Sequence, residues 1–188
     1  MTKKTKPFYL LPYRALAKRW RFLSFMLIPA GVLLWWLIPN LPDTNPALAP
    51  LGFLLSGVGL LLTLYTLRLG SAQVHCYDNR FVIRNPIYPV AFSYQRITLV
   101  RSVEFRSVFP PEDAKPARWR IYKNLWGKTA IVVDLTDYPM SRNWLRLWFH
   151  PFLLHPKETA LVLPIEDWMG LSRQLESQRI AWKERKRR

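Results

Sequence analysis

Acidic residues are scarce: 12 Asp and Glu stand against 28 Lys and Arg over 188 residues, a formal charge of +16. Cysteine is scarcer still. Cys76 is alone, so no intrachain disulfide forms, which suits a reducing cytoplasm. Charge of either sign is missing from Phe22 to Pro42 and again from Thr44 to Leu67. With half the residues hydrophobic and gathered into these windows, a plain soluble protein is excluded. A phosphate-binding loop, a nucleophile elbow and a dinucleotide glycine pattern are also lacking. Asp134 and Asp137, beside Tyr138-Pro139, suit the end of a strand and a turn better than an acid–base pair. The only histidines, His75, His150 and His155, have no ligand spacing. No catalysis, cofactor or metal is expected.

What is present first is length. A bilayer core about 30 Å thick needs roughly 20 apolar residues in a helix. Spans are predicted over 20–39 and 46–68. The first carries Trp35 and Trp36 for the far interface, and the second ends at Tyr65 and Arg68, whose side chain can snorkel to headgroups. Pro39 to Asn45 makes a connection so short that the helices must form an antiparallel hairpin. Gly52, Ser56, Gly59 and Thr63 give the second helix a smooth face that fits closure of the hairpin better than dimerisation, though an oligomer is compatible. Lys3, Lys4, Lys6, Arg14, Lys18, Arg19 and Arg21 precede the first span, the loop has no cation, and every other Lys and Arg follows from Arg68 onward. The positive-inside rule then predicts a multi-pass protein of the inner (plasma) membrane with both termini cytoplasmic and residues 1–19 as a basic tail. Ala47-Leu48-Ala49 has the look of a signal-peptidase site. The leader is too long and a second span follows at once, so the anchor reading stands.

From Ser71 the pattern shortens. Strands are predicted over 73–77 and 80–84 around a tight polar turn, then over 90–94, 97–108, 130–135 and 160–163. The chain closes with a helix bearing Glu166 and Asp167 in its first turn and Lys183 to Arg188 in its last, matching the helix dipole. Trp168, Leu171, Leu175 and Trp182 share one face of it. The expected fold is an α+β membrane protein: a two-helix transmembrane hairpin, then a curved β-sheet or barrel over 71–183 capped by the C-terminal helix. Residues 184–188 form a basic tail.

Two spans followed by a strand-rich module that opens with a hairpin, then Val90-Ala91-Phe92-Ser93-Tyr94-Gln95-Arg96-Ile97 leading to Val100, resembles the bacterial PH-domain membrane proteins. The resemblance covers roughly residues 20–183 and rests on pattern rather than fixed letters. The stretches 110–125 and 144–154 depart from it as insertions. It implies a membrane-anchored binding or scaffolding module, with no catalytic residue or cofactor.

Two basic-aromatic stretches are the candidates for contact. The first carries Arg118, Trp119, Arg120, Lys123 and Trp126; the second carries Arg142, Trp144, Arg146, Trp148 and Phe149. If the second is helical, Trp144, Leu145, Trp148, Phe149 and Phe152 share a face opposite Arg142, Arg146 and His150, and Pro151 limits it to about two turns. Trp beside Arg suits a segment lying in anionic headgroups. It equally suits aromatic core with a cationic rim, so both readings stand. Nucleic acid is a third reading. Cations beside a cytoplasmic leaflet explain themselves without it, so none is expected. The function expected is a membrane-anchored scaffold docking to lipid headgroups or to another membrane protein. The alternative is a structural or assembly subunit of a larger membrane complex.

Overall fold

The computed structural model describes residues 6–40, 45, 48–113 and 121–187. The chain divides into two units, one of residues 16–70 and one of residues 1–15 with 71–188.

The first unit is helical. Helix α1 runs Leu11–Leu37 and continues as a 3-10 turn to Asn40; α2 runs Ala49–Gly70. Each opens with a proline in its first turn, Pro12 and Pro50, where the missing N–H has no intrahelical partner to lose. Each is long and apolar enough to cross a membrane, and only 11% and 17% of their most apolar windows are buried. The large side chains, Phe22, Phe53 and Leu61 among them, are exposed. What is buried between the helices is small. A Cβ on Gly52 would lie 2.5 Å from Trp35 N, and one on Gly59 would lie 2.9 Å from Leu27 Cβ. A Cβ on Gly31 would run into Ser56 Oγ and Gly52 O. Ser56 Oγ donates to Ile28 O across the seam at 3.0 Å, and Thr63 Oγ1 turns back to Gly59 O. The smooth face of α2 therefore closes on α1, backbone against backbone.

The second unit is two antiparallel sheets. The four-stranded sheet contains β1 (Phe8–Tyr9), β2 (Gln73–Cys76), β3 (Arg80–Arg84) and β4 (Pro89–Ser93), in the order β1-β2-β3-β4. The three-stranded sheet contains β5 (Ile97–Glu104), β6 (Thr129–Leu135) and β7 (Ala160–Pro164) in sequence order. A helical turn α3 (Phe105–Val108) and a two-turn helix α4 (Arg142–Trp148) lie in the connections, and α5 (Trp168–Arg187) ends the unit. β7 is buried at every residue and so is Ala130–Val133 of β6, so both strands carry a continuous apolar run. β3 and β4 alternate, and their inward Phe81 and Phe92, directly opposite in the ladder, stack at 5.1 Å. Leu171 and Leu175 bury the inner face of α5.

Three expectations are corrected. The sheets form no closed barrel: β4 passes to β5 through a 3-10 turn, Tyr94–Arg96, capped by Ser93 Oγ, and no ladder joins them. The fourth strand stops at Glu104, because residues 105–108 turn helical to bury Phe105. The N-terminal segment adds a strand: Phe8 and Tyr9 pair with Val74 and Gln73, Leu10 N donates to Ala72 O, and α1 begins at Leu11, ahead of the span expected from position 20. Asp167 stands before α5, not inside its first turn, and its Oδ1 caps Gly170 N at 3.0 Å. Lys6 Nζ lies 2.8 Å from the other carboxylate oxygen.

The hairpin seam predicts an asymmetry among glycines of one helix. Gly52→Val has backbone in its way and should cost about 1–3 kcal/mol. Gly57→Val meets nothing within 4 Å and should be nearly neutral. Thermal unfolding of the two variants in mild detergent measures this; equal midpoints would refute the seam.

Candidate functional site

The two basic-aromatic stretches meet different fates. In the first, Arg118, Trp119 and Arg120 lie outside the described residues. Lys123 is exposed on a 3-10 turn, Lys123–Leu125. Trp126 is buried with Phe105, Tyr122 and Phe152, and its Nε1 donates to Phe109 O at 2.7 Å. A Trp whose ring is enclosed and whose N–H is satisfied has nothing left to offer a ligand. Trp126 is core.

The second stretch forms α4. Ser141 caps it, with its carbonyl accepting from Leu145 N, and the helix ends three residues before Pro151, as the length argument required. The shared face expected for Trp144, Leu145, Trp148 and Phe149 is split. Leu145 and Phe149 turn into the core, where Phe149 meets Phe92. Trp144 and Leu147 turn outward, Trp148 is half-buried between, and Arg146 is exposed. Arg142 is not a free cation: its guanidinium donates to His155 O at 2.6 Å and Pro156 O at 2.8 Å. It anchors α4 to the loop that leads into β7.

Two residues that the sequence reading passed over complete this surface. Ile87 and Tyr88 stand exposed in the β3–β4 connection, between Pro86 and Pro89. The Tyr88 and Trp148 rings lie 5.9 Å apart, and those of Trp148 and Trp144 lie 5.7 Å apart. Asn85 Nδ2 donates to Trp148 O at 3.0 Å, tying the connection to the end of α4. Two large apolar side chains lodged between two prolines in a turn were the available signal.

Beneath the surface a hydrogen-bonded support holds α4. Tyr13 Oη accepts from His150 N at 2.9 Å, and Trp148 O lies 3.4 Å from the same hydroxyl. His150 Nδ1 accepts from Phe152 N, so Nε2 carries the ring proton and donates to Tyr122 Oη at 2.6 Å. Across the sheet, Arg101 Nε lies 3.1 Å from Asp134 Oδ2, and the same guanidinium pairs with Glu158. His155 Nδ1 accepts from the backbone N–H of Glu158 and Lys157. Burial holds His155 below its ordinary value, against the pull of Glu158. Burial likewise pushes the Cys76 thiol up to about 12, so it is not a thiolate near neutral pH. Among the described residues, no group of three or more His, Cys, Asp or Glu is arranged to hold a metal.

No family model, curated protein or solved structure matches this chain. The geometry therefore carries the functional argument.

The acceptor role of His155 has a pH consequence. Its folded-state value is lowered from the ordinary 6.5, so on acidification the unfolded chain takes up a proton before the folded one does. Stability is full above about pH 6.5 and falls as pH drops toward the lowered folded value. His75, also lowered by burial, acts in the same sense. His155→Asn keeps an acceptor near the same backbone N–H groups and removes this titration. Its unfolding midpoint should fall less between about pH 7 and pH 5 than that of the parent chain. Equal falls would contradict the assignment.

Proposed function

We propose that this chain is a membrane-anchored, PH-like binding module of the inner membrane. The hairpin spans the bilayer, both termini are cytoplasmic, and the cationic β unit docks at the membrane surface. The observation that carries the reading is the inversion of the helical unit. Its small residues are inside and its large apolar residues outside, an arrangement suited to hydrocarbon as solvent. Charge supports the orientation, since the cations flank the hairpin on its N- and C-terminal sides and spare the 39–45 connection. Four strands, then three, then a terminal helix support the PH-like reading. The exposed aromatic surface of α4 supports binding as the role.

The orientation is testable with one engineered thiol. Cys76 is buried and its thiol protonated, so it gives little background. Asn40→Cys should react with a membrane-impermeant maleimide added outside intact cells, and Ser177→Cys only after permeabilisation. Labelling of Ser177→Cys in intact cells, or of neither variant before permeabilisation, would overturn the orientation.

A further inference from the structure

The outer surface of α4 differs from the rest of the β unit. Ile87, Tyr88, Trp144 and Leu147 expose 58%, 47%, 49% and 69% of their area. The unit's other exposed large apolar side chains among the described residues are dispersed. Tyr9 is on β1, Leu99 on β5, and Met169 and Ile180 lie three turns apart on α5. The clustered four are bridged by Trp148, whose ring approaches both Tyr88 and Trp144. The patch is also rigid. Its two pieces are joined through Asn85 and Trp148 O, and the end of α4 is tied to Tyr13.

We propose that this patch is a lipid contact, seated in the headgroup layer of an anionic leaflet. The inference rests on the anchored reading above and names the partner of its exposed face. Three observations select a bilayer over a protein. First, the patch pairs amphipathic Tyr and Trp rings with Ile and Leu tips, and Arg146 lies exposed on the same short helix. Rings with a polar edge, apolar tips and a cation match the gradient from headgroup to acyl chain. Second, Tyr13, which holds the end of α4, is separated from Trp20 by six residues. Four cations, Arg14, Lys18, Arg19 and Arg21, occur between Tyr13 and Phe22, where the uncharged window begins. In the sequence, then, the residue that supports the patch stands nine positions before the uncharged window, with cations between. Third, four half-exposed side chains offer on the order of 500 Å². A stable protein interface buries about 800 Å² per partner. An interfacial patch already tethered by two spans has no such minimum, because the translational cost of docking is met by the tether.

The test uses the full chain reconstituted in vesicles, with an environment-sensitive fluorophore on a single engineered thiol. Leu147→Cys reports the patch, and Ile87→Cys reports its other lobe in case the first variant folds poorly. Ser177→Cys on exposed α5 is the reference, and Leu61→Cys in α2 reports the anchor. The vesicles contain phosphatidylcholine alone or with about one-third phosphatidylglycerol, and carry headgroup-depth or mid-chain spin-labelled lipid as quencher. In anionic vesicles the 147 and 87 probes should be quenched at headgroup depth at least threefold more than the 177 probe. Adding Arg146→Glu should halve that excess. The 61 probe should be quenched by mid-chain labels in both kinds of vesicle. If it is, and the 147 and 87 probes behave like 177, the lipid contact is overturned while the anchor stands. If 61 also stays unquenched, both readings fall. Shielding of 147 and 87 in native membranes but not in lipid-only vesicles assigns the patch a protein occupant and overturns the proposal.

Discussion

The two apolar helices are inserted between strands that hydrogen-bond to each other. β1 ends at Tyr9 and β2 begins at Gln73, yet Phe8 faces Val74 and Tyr9 faces Gln73 in one antiparallel ladder. The strands that precede and follow the hairpin in sequence are thus neighbours in one sheet, and the β unit is not complete until the chain has been through both helices. Leu10 extends this edge by bridging to Ile165, just beyond β7, so the short N-terminal strand also touches the second sheet. On the proposed reading the hairpin tethers the β unit to the membrane.

On the proposed reading the seam between the helices follows from the solvent around them. In water, burying Leu and Phe between two helices would stabilise them, and the small residues would be left outside. In hydrocarbon that driving force between helices vanishes, and close backbone approach becomes the better contact. Gly31, Gly52 and Gly59 provide it, and Ser56 adds a hydrogen bond to Ile28 O. In the β unit the ordinary logic returns, with Ala130 and Val132 of β6 and Ala160 and Val162 of β7 buried in one cluster with Phe105, Trp126 and Phe152.

Much of this was legible as pattern. The charge gaps located the helices, and alternation located five of the seven strands closely and the start of a sixth. Phe8–Tyr9 was not legible, because two residues carry no period and their partner lies more than sixty residues away. The barrel expectation failed at Tyr94–Arg96, where Ser93 caps a turn that composition alone does not announce. The candidate surface was half legible. Trp and Arg mark both an interface and the rim of a core, so Trp126, Phe149 and Arg142 looked like Trp144 and Arg146. Long-range partners decide between them: Phe109 O for Trp126, Phe92 for Phe149, and the His155 and Pro156 carbonyls for Arg142.

The central claim is that hydrocarbon, not water or a protein core, covers the outer side chains of α1 and α2. Alkaline carbonate washing of membranes from cells expressing the full chain measures this most directly, since it strips peripheral proteins and leaves integral ones. The account predicts that the chain stays in the membrane pellet after washing. Its release into the supernatant as a folded, soluble protein would contradict the account.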